Sequence, residues 1–293
     1  MESHGGNIIW LASYPKSGST WFRAFFTNLL QNSDTPARIN ALLPPHMASS
    51  RYLFDDYTGV ESSDLNEAEI ERLRPRVYET ISRVEGADKG PVYLKIHDAY
   101  TWTCDGHPLV SQHATRCAIY FLRNPLDVAV SFAHHSACDI DTIIKKMADE
   151  SFGFCARPDR INNQIRQRLL SWSSHVMSWV NGMRTNLHIM RYEDMVLTPI
   201  ETFTHAARFA QLPDDNARIQ KALRFSDICE LQKQEQVHGF KEKPKKAESF
   251  FRKGKTGSWR ETLTDQQTQR IIQNHRAVMK RFGYLNDNDE PVF

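Results

Sequence analysis

The stretch Ile8–Leu30, IIWLASYPKSGSTWFRAFFTNLL, constrains the fold more than any other part of the chain. It opens with Ile8-Ile9-Trp10-Leu11-Ala12, a short run of β-formers suited to a buried strand. Tyr14-Pro15 breaks that run, and the small polar loop Lys16-Ser17-Gly18-Ser19-Thr20 follows. From Trp21 to Leu30 the apolar residues recur with a helical period. Strand, loop and helix in this order make a phosphate cradle. Glycine lets backbone approach an anion, N–H groups at the helix start point at it, and Lys adds a charge. The loop is not a Walker A sequence, because Lys16 precedes Gly18 instead of following a second glycine. Taken alone, the same layout also serves an ordinary strand–turn–helix connection.

A chain of 293 residues can form one large α/β domain or two small ones, and at 40% hydrophobic and 25% charged residues it can bury a core. A net charge of +2 is too mild to hold nucleic acid by bulk electrostatics, so no nucleic-acid partner is expected. The first apolar run is too short for a signal peptide or a membrane span. Cys104, Cys117, Cys138, Cys155 and Cys229 are odd in number and form no CxxC pair, which fits reduced thiols in a cytoplasmic protein.

Further along, helical period and turn signals place a helix at about 18–31 and an irregular stretch with a short helix over 33–63. A second helix is expected from a cap at Ser63-Asp64 to about Val84. Strand-like runs follow at Pro91–His97 and Arg116–Leu122, the latter broken by Arg123-Asn124-Pro125 before a helix. Helices are expected over 139–150, 160–183 and 199–210, with a strand at Leu187–Tyr192 and a helical tail over 264–282. Strands alternating with helices predict an α/β fold with a central parallel sheet flanked by helices. In such sheets ligands sit at the strand ends, where Lys16, His97, Arg123 and Tyr192 fall. The segment Lys233–Lys255 is rich in Lys without a steady period, and reads either as a solvated loop or as a basic lid over an anion.

Five separated pieces share one pattern. The loop Tyr14-Pro15-Lys16-Ser17-Gly18-Ser19-Thr20-Trp21 resembles the 5′-phosphosulfate loop, YPKSGTTW, of sulfotransferases that use 3′-phosphoadenosine 5′-phosphosulfate (PAPS). Arg123–Ser131 resembles their 3′-phosphate motif, RxPxDVxxS, and Arg252–Arg260 their RKGxxGDWK motif. Lys95-Ile96-His97 is similar to the family's KTH, and Tyr192-Glu193-Asp194-Met195 to its YEDM. The matches run from residue 14 to 260 in family order. The resemblance implies one domain over residues 1–293 with a P-loop-like nucleotide-binding core. It places the phosphosulfate loop at 14–21, the 3′-phosphate motif at 123–131 and a C-terminal basic lid at 233–260.

It also implies roles. Lys16 would stabilise the leaving group, and Ser17, Gly18, Ser19 and Thr20 would hold the 5′-phosphate. Arg123 and Ser131 would bind the 3′-phosphate, with Arg252, Lys253 and Gly254 closing over it; the plain alternative for Arg123 is an ion pair with Asp127. Trp21 and Tyr192 would contact the adenine, with Ser226 touching the adenosine, or the two aromatics are simply core. His97 would be the general base, assisted by Lys95. His134, Tyr100 and Trp102 would line the acceptor pocket.

His134-His135 with Cys138 and Asp139 fits no standard zinc spacing, and no metal is expected. Ser19, Ser258 and Arg260 depart from the family's usual Thr, Asp and Lys. The dimerisation pattern KxxxTVxxxE keeps only Thr264, so oligomeric state stays open. The implied reaction moves a sulfonate from PAPS to an acceptor hydroxyl, on a small molecule, glycoside or peptide, with release of PAP. The competing readings are an ATP-dependent small-molecule kinase and a silent nucleotide-binding protein.

Overall fold

A computed structural model describes residues 6–86, 90–157, 159–183 and 186–293. Strand β1 (Ile8–Ser13) leads into helix α1 (Ser19–Gln31). Helices α2 (Arg51–Thr58) and α3 (Glu67–Gly86) precede strands β2 (Val92–Ile96) and β3 (Thr115–Leu122). Then come α4 (Pro125–Ser136), α5 (Ile140–Ala148), the short strands β4 (Gly153–Phe154) and β5 (Gln167–Arg168), and α6 (Trp172–Gly182). Strand β6 (Leu187–Arg191) is followed by α7 (Tyr192–Leu197), α8 (Pro199–Phe209), α9 (Asn216–Phe225), α10 (Ile228–His238) and α11 (Asp265–Arg281). The main sheet has the order β2-β1-β3-β6, with β1 and β2 parallel and Ile8 opposite Val92. The expected α/β class, a central parallel sheet with helices around it, is what the chain forms. The order reverses direction at β1.

The chain divides into two compact units. The first comprises the chain up to Tyr14, His46–Tyr120 and Glu150–His188. Its core is β1, buried along its whole length, as a strand covered on both faces must be. Trp10 packs edge-on to Tyr78 at 5.1 Å and gives its indole N–H to Thr115 Oγ1 at 2.9 Å. Arg74 and Asp98 form a buried ion pair at 2.7 Å, with Tyr78 as a further partner of the guanidinium at 3.0 Å. Removing either charge alone would strand the other in the core.

The second unit comprises Pro15–Pro45, Phe121–Asp149 and Ile189–Phe293. Its centre is aromatic: Phe22 of α1 lies 5.0 Å from Phe121, and Phe25 lies 4.4 Å from Phe203 of α8. Arg23, 3% exposed, donates to the carbonyls of Leu42, Leu43 and Pro44 and to both oxygens of Glu242.

Four sequence expectations need correction. The helix expected over 160–183 is only Trp172–Gly182. Residues before it pair β5 with β4, Arg168 N–H donates to Asp98, and Ser171 caps the shorter helix through Ser174 N–H at 3.1 Å. The second helix starts at Glu67, not at Ser63-Asp64, because Asn66 and Glu69 exchange side-chain and backbone bonds at its start. The strand expected to reach Tyr192 ends at Arg191, and Tyr192 opens α7. The segment from Lys233 is no solvated loop: α10 runs to His238, and Phe240, Ala247 and Phe251 are buried beyond it. Phe240 and Phe251 join Ala24, Ile39, Leu42 and Leu231 in one apolar cluster.

Candidate active site

In the second unit the phosphate loop turns sharply. Lys16 has φ 71° and Gly18 has φ 102°, the left-handed region that favours glycine. A Cβ on Gly18 would also stand 2.8 Å from Tyr192 Cδ2. Ser19 then opens α1, whose first turn has no side-chain cap among the described residues. Its N–H groups and the positive end of the helix dipole are therefore available to an anion. Ser17 Oγ is buried and has no hydrogen-bond partner among the described residues.

Arg123 stands at the end of β3, 9% exposed. It donates to the carbonyl oxygens of Lys16 at 3.2 Å and Lys255 at 3.3 Å, and its guanidinium lies 4.1 Å from the centre of the Tyr192 ring. Its Nε is buried without a partner among the described residues. Arg252 has its pKa lowered by burial and by the charge of Arg123, against a smaller raising effect of Asp127. Neither guanidinium forms an ion pair among the described residues, so the positive charge of Arg252 and Arg123 stands together at this place.

Asp127 is not the partner of Arg123. Its carboxylate accepts from Gly257 N–H at 2.8 Å, Ser258 Oγ at 3.0 Å and Trp259 N–H at 3.1 Å, which fixes the C-terminal motif. Glu193 does similar work on the other side. It accepts from Asn124 N–H at 3.0 Å and Tyr284 OH at 2.9 Å, and burial raises its pKa. The turn carrying Arg123 is thereby held from α7 and the tail.

Trp21 lies edge-on to Tyr192 at 5.9 Å and to Phe203 at 5.5 Å, and its indole N–H is another buried donor without a partner among the described residues. Tyr192 is 7% exposed. Gly254 has φ 61°, and a Cβ there would approach Ile228 Cγ1 at 2.9 Å. Ser131 is half-buried on α4. Lys253 is exposed and pairs with Glu261 at 2.9 Å. Ser226 is fully buried as the residue ending α9, and its hydroxyl donates to Ala222 O at 2.9 Å.

Lys16 Nζ stands 3.2 Å from His135 Nδ1 and 4.5 Å from the centre of the Phe250 ring. Sequence reading did not single out His135 as the neighbour of Lys16. His134 has its pKa lowered by burial first, then by the positive charges of Arg252 and Lys16.

In the first unit, His97 follows β2. Its Nδ1 lies 2.8 Å from the carbonyl oxygen of Ser13 and 3.2 Å from Ser13 Oγ. A carbonyl only accepts, so Nδ1 carries the proton and Nε2 is the basic nitrogen. The backbone carbonyl of His97 accepts from His175 Nε2 at 3.0 Å, and Tyr120 OH donates to His175 Nδ1 at 2.8 Å. Burial pushes the fully enclosed His175 down to about 4. Sequence reading missed His175, because nothing local marks it.

Lys95 is 8% exposed, in the strand register opposite Leu11. Tyr100 is buried, packed against Trp179 at 5.7 Å and against the bare face of Gly182. Trp102 is 53% exposed and lies edge-on to Tyr100 at 5.7 Å.

The sulfotransferase domain family model matches residues 7–283. The chain belongs to the sulfotransferase family. It is 24% identical over 279 residues to cytosolic sulfotransferase 1 of Arabidopsis thaliana, covering 90% of this chain and 76% of that protein. It is likewise 24% identical to flavonol 3-sulfotransferase of Flaveria bidentis, with 90% and 79% covered. In fold, the sulfotransferase resembles retinol dehydratase in complex with androsterone and PAP. The TM-score is 0.62 at 17% identity, with 96% of this chain and 83% of the other covered. It also resembles mouse sulfotransferase SULT7A1 complexed with PAP, with a TM-score of 0.57 at 18% identity and 94% and 85% covered.

Proposed function

We propose that this sulfotransferase moves the sulfonate of PAPS to a hydroxyl group of a small-molecule, glycoside or peptide acceptor and releases PAP. The observation that carries the reading is Arg123: buried, beside Arg252, and among the described residues paired with no carboxylate and keeping one donor unspent. Such a group fits a 3′-phosphate, with Ser131 and Gly254 as further contacts. The unspent Ser17 hydroxyl and the uncapped first turn of α1 fit the 5′-phosphate, and the unspent indole N–H of Trp21 fits the adenine.

In this reading the acceptor oxygen attacks sulfur, the bond from sulfur to the bridging phosphate oxygen breaks, and PAP leaves with the electron pair. His97 Nε2 takes the acceptor's proton, and Lys16 balances the charge that develops on the leaving phosphate. Lys95 assists on the transferring group. Because Lys16 lies against His135 and Phe250, those two side chains set where its ammonium stands. Ser226 spends its hydroxyl on its own helix, so we assign it to the wall of the nucleotide site and not to a polar contact. Tyr100, Trp102 and His134 are our candidates for acceptor contacts.

Relatives named as flavonol sulfotransferases support a phenolic or alcoholic acceptor. Relatives named cytosolic, together with five free cysteines, support work in the cytoplasm. Among the described residues no helix is long and apolar enough to cross a membrane. The test is transfer of labelled sulfonate from PAPS to a panel of phenols and alcohols. Labelled ester is expected from the wild-type protein and none from His97→Ala; PAP binding with no labelled ester on any acceptor would contradict turnover.

A further inference from the structure

Strand β2 ends at Ile96, so the carbonyls of His97 and Asp98 lie beyond its ladder, and polar groups taken from water need a partner from elsewhere. Helix α6 supplies both partners. His175 and Trp179 stand four residues apart on it, hence on one face, and each is fully buried. His175 Nε2 donates to the carbonyl oxygen of His97 at 3.0 Å, and Trp179 Nε1 to that of Asp98 at 3.0 Å. The next N–H, of Ala99, donates to Arg168 O at 2.7 Å. The Asp98 carboxylate accepts from Arg168 N–H at 3.0 Å and from the guanidinium of Arg74. The backbone that follows the His97 side chain is thus pinned at consecutive groups, while His97 itself is only half-buried.

This pinning depends on one tautomer. A carbonyl only accepts, so His175 Nε2 carries the proton and Nδ1 accepts, from Tyr120 OH at 2.8 Å. Burial raises the pKa of Tyr120 well above that of an ordinary phenol, and a bond from the Tyr14 backbone opposes the rise. Only a donor favours a phenolate, so the Tyr14 N–H is the group that holds the Tyr120 oxygen. That N–H and the carbonyl of Ser13 belong to one peptide, and the Ser13 carbonyl accepts from His97 Nδ1. The circuit is closed. The ring of His97 is tied to one side of the Ser13–Tyr14 peptide, and its carbonyl is tied through His175 and Tyr120 to the other. Burial pushes His175 down to about 4, so its ring stays neutral and keeps one donor and one acceptor where a histidine base works.

We propose that His175, Tyr120 and Trp179 are positioning residues for the base: they fix the backbone of His97 so that its Nδ1 meets Ser13 and its Nε2 is left to take the acceptor's proton. All three act through His97. The proposal rests on His97 being the base of the sulfonate transfer proposed above.

Tyr120→Phe, His175→Leu and His175→Gln in the full chain test it. Turnover is taken per PAP-binding site, counted by calorimetry, so that unfolded protein drops out. Tyr120→Phe removes one oxygen and is expected to lower kcat about tenfold; His175→Leu is expected to lower it about a hundredfold, with KM for PAPS changed less than about twofold in both. His175→Gln keeps an amide N–H for the His97 carbonyl and is expected to recover kcat to within about tenfold of the wild type. Nitrogen-15 spectra of the histidine rings give a readout without turnover, the His97 signals being those lost in His97→Ala. The wild type should show His97 protonated at Nδ1, and Tyr120→Phe and His175→Leu a mixture of both tautomers. An unchanged His97 spectrum in both variants would overturn the proposal, as would an unchanged kcat per PAP site. A wild-type protein that binds PAP and transfers no sulfonate would contradict the reaction instead, and the spectra alone would then decide the positioning.

Discussion

The imidazole of His97 gives its Nδ1 proton to the carbonyl oxygen of Ser13 at 2.8 Å, and this bond decides which ring nitrogen can act as a base. Ser13 is the last residue of β1, so the strand that begins the phosphate loop also fixes the tautomer of His97. The outcome expected for His97→Ala is loss of transfer by at least a thousandfold with PAP affinity changed less than about threefold, since general-base catalysis and positioning act together. Rate and calorimetric binding measured on the same preparation check this. A collapse of PAP affinity would make His97 structural.

His175 links stability to pH. Its imidazole takes a proton at 6.5 in the ordinary case and only at about 4 in the folded chain, because burial opposes the charge. Between those values the unfolded chain binds more protons, so stability is intact above pH 6.5 and falls as pH drops toward 4. From pH 7 to 5 this single group costs about 2 kcal/mol. Urea unfolding at both pH values should show that loss in the wild type and a smaller one in His175→Gln. Parallel losses in the two proteins would refute it.

Asp127 organises the loop that follows Arg252. Its carboxylate receives three donors from Gly257, Ser258 and Trp259, and bonds to a charged acceptor contribute about 1.5–3 kcal/mol each. Asp127→Ala is expected to lower stability by about 3 kcal/mol, allowing for water reaching the loop, and to weaken PAP at least tenfold. Denaturation and calorimetry check the two effects, and unchanged PAP affinity would separate this loop from the nucleotide.

Gly18 has no room for a side chain. At φ 102°, with Tyr192 Cδ2 2.8 Å from the site of a Cβ, Gly18→Ala forces both backbone strain and a shift of Tyr192. A loss of about 1–3 kcal/mol in stability is expected, and because Arg123 lies over the same ring, PAP affinity should fall with it. Thermal unfolding with and without PAP reads both.

The strand, loop and helix of the candidate nucleotide site were legible because their signals are local. Lys16, Gly18, Arg123 and Asp127 each sit at a strand end or helix start, where residue type and spacing carry the chemistry. What escaped depends on contacts distant in sequence. The β4–β5 pair joins residues 153–154 to 167–168, and no period within 160–171 reveals it. Phe240 and Phe251 looked solvated because their neighbours are lysines, yet they pack on Ala24 and Leu42. That His135 meets Lys16 requires the phase of α4, since adjacent helical residues point about 100° apart. His175 is visible only once chain segments tens of residues apart are brought together.

The central claim is that the second unit is built for an adenosine nucleotide with a 3′-phosphate, and calorimetry needs no knowledge of the acceptor. PAP should bind at least a hundredfold tighter than adenosine 5′-phosphate, and Arg123→Ala should erase most of that difference. Equal affinity of the wild-type protein for the two nucleotides would contradict the account.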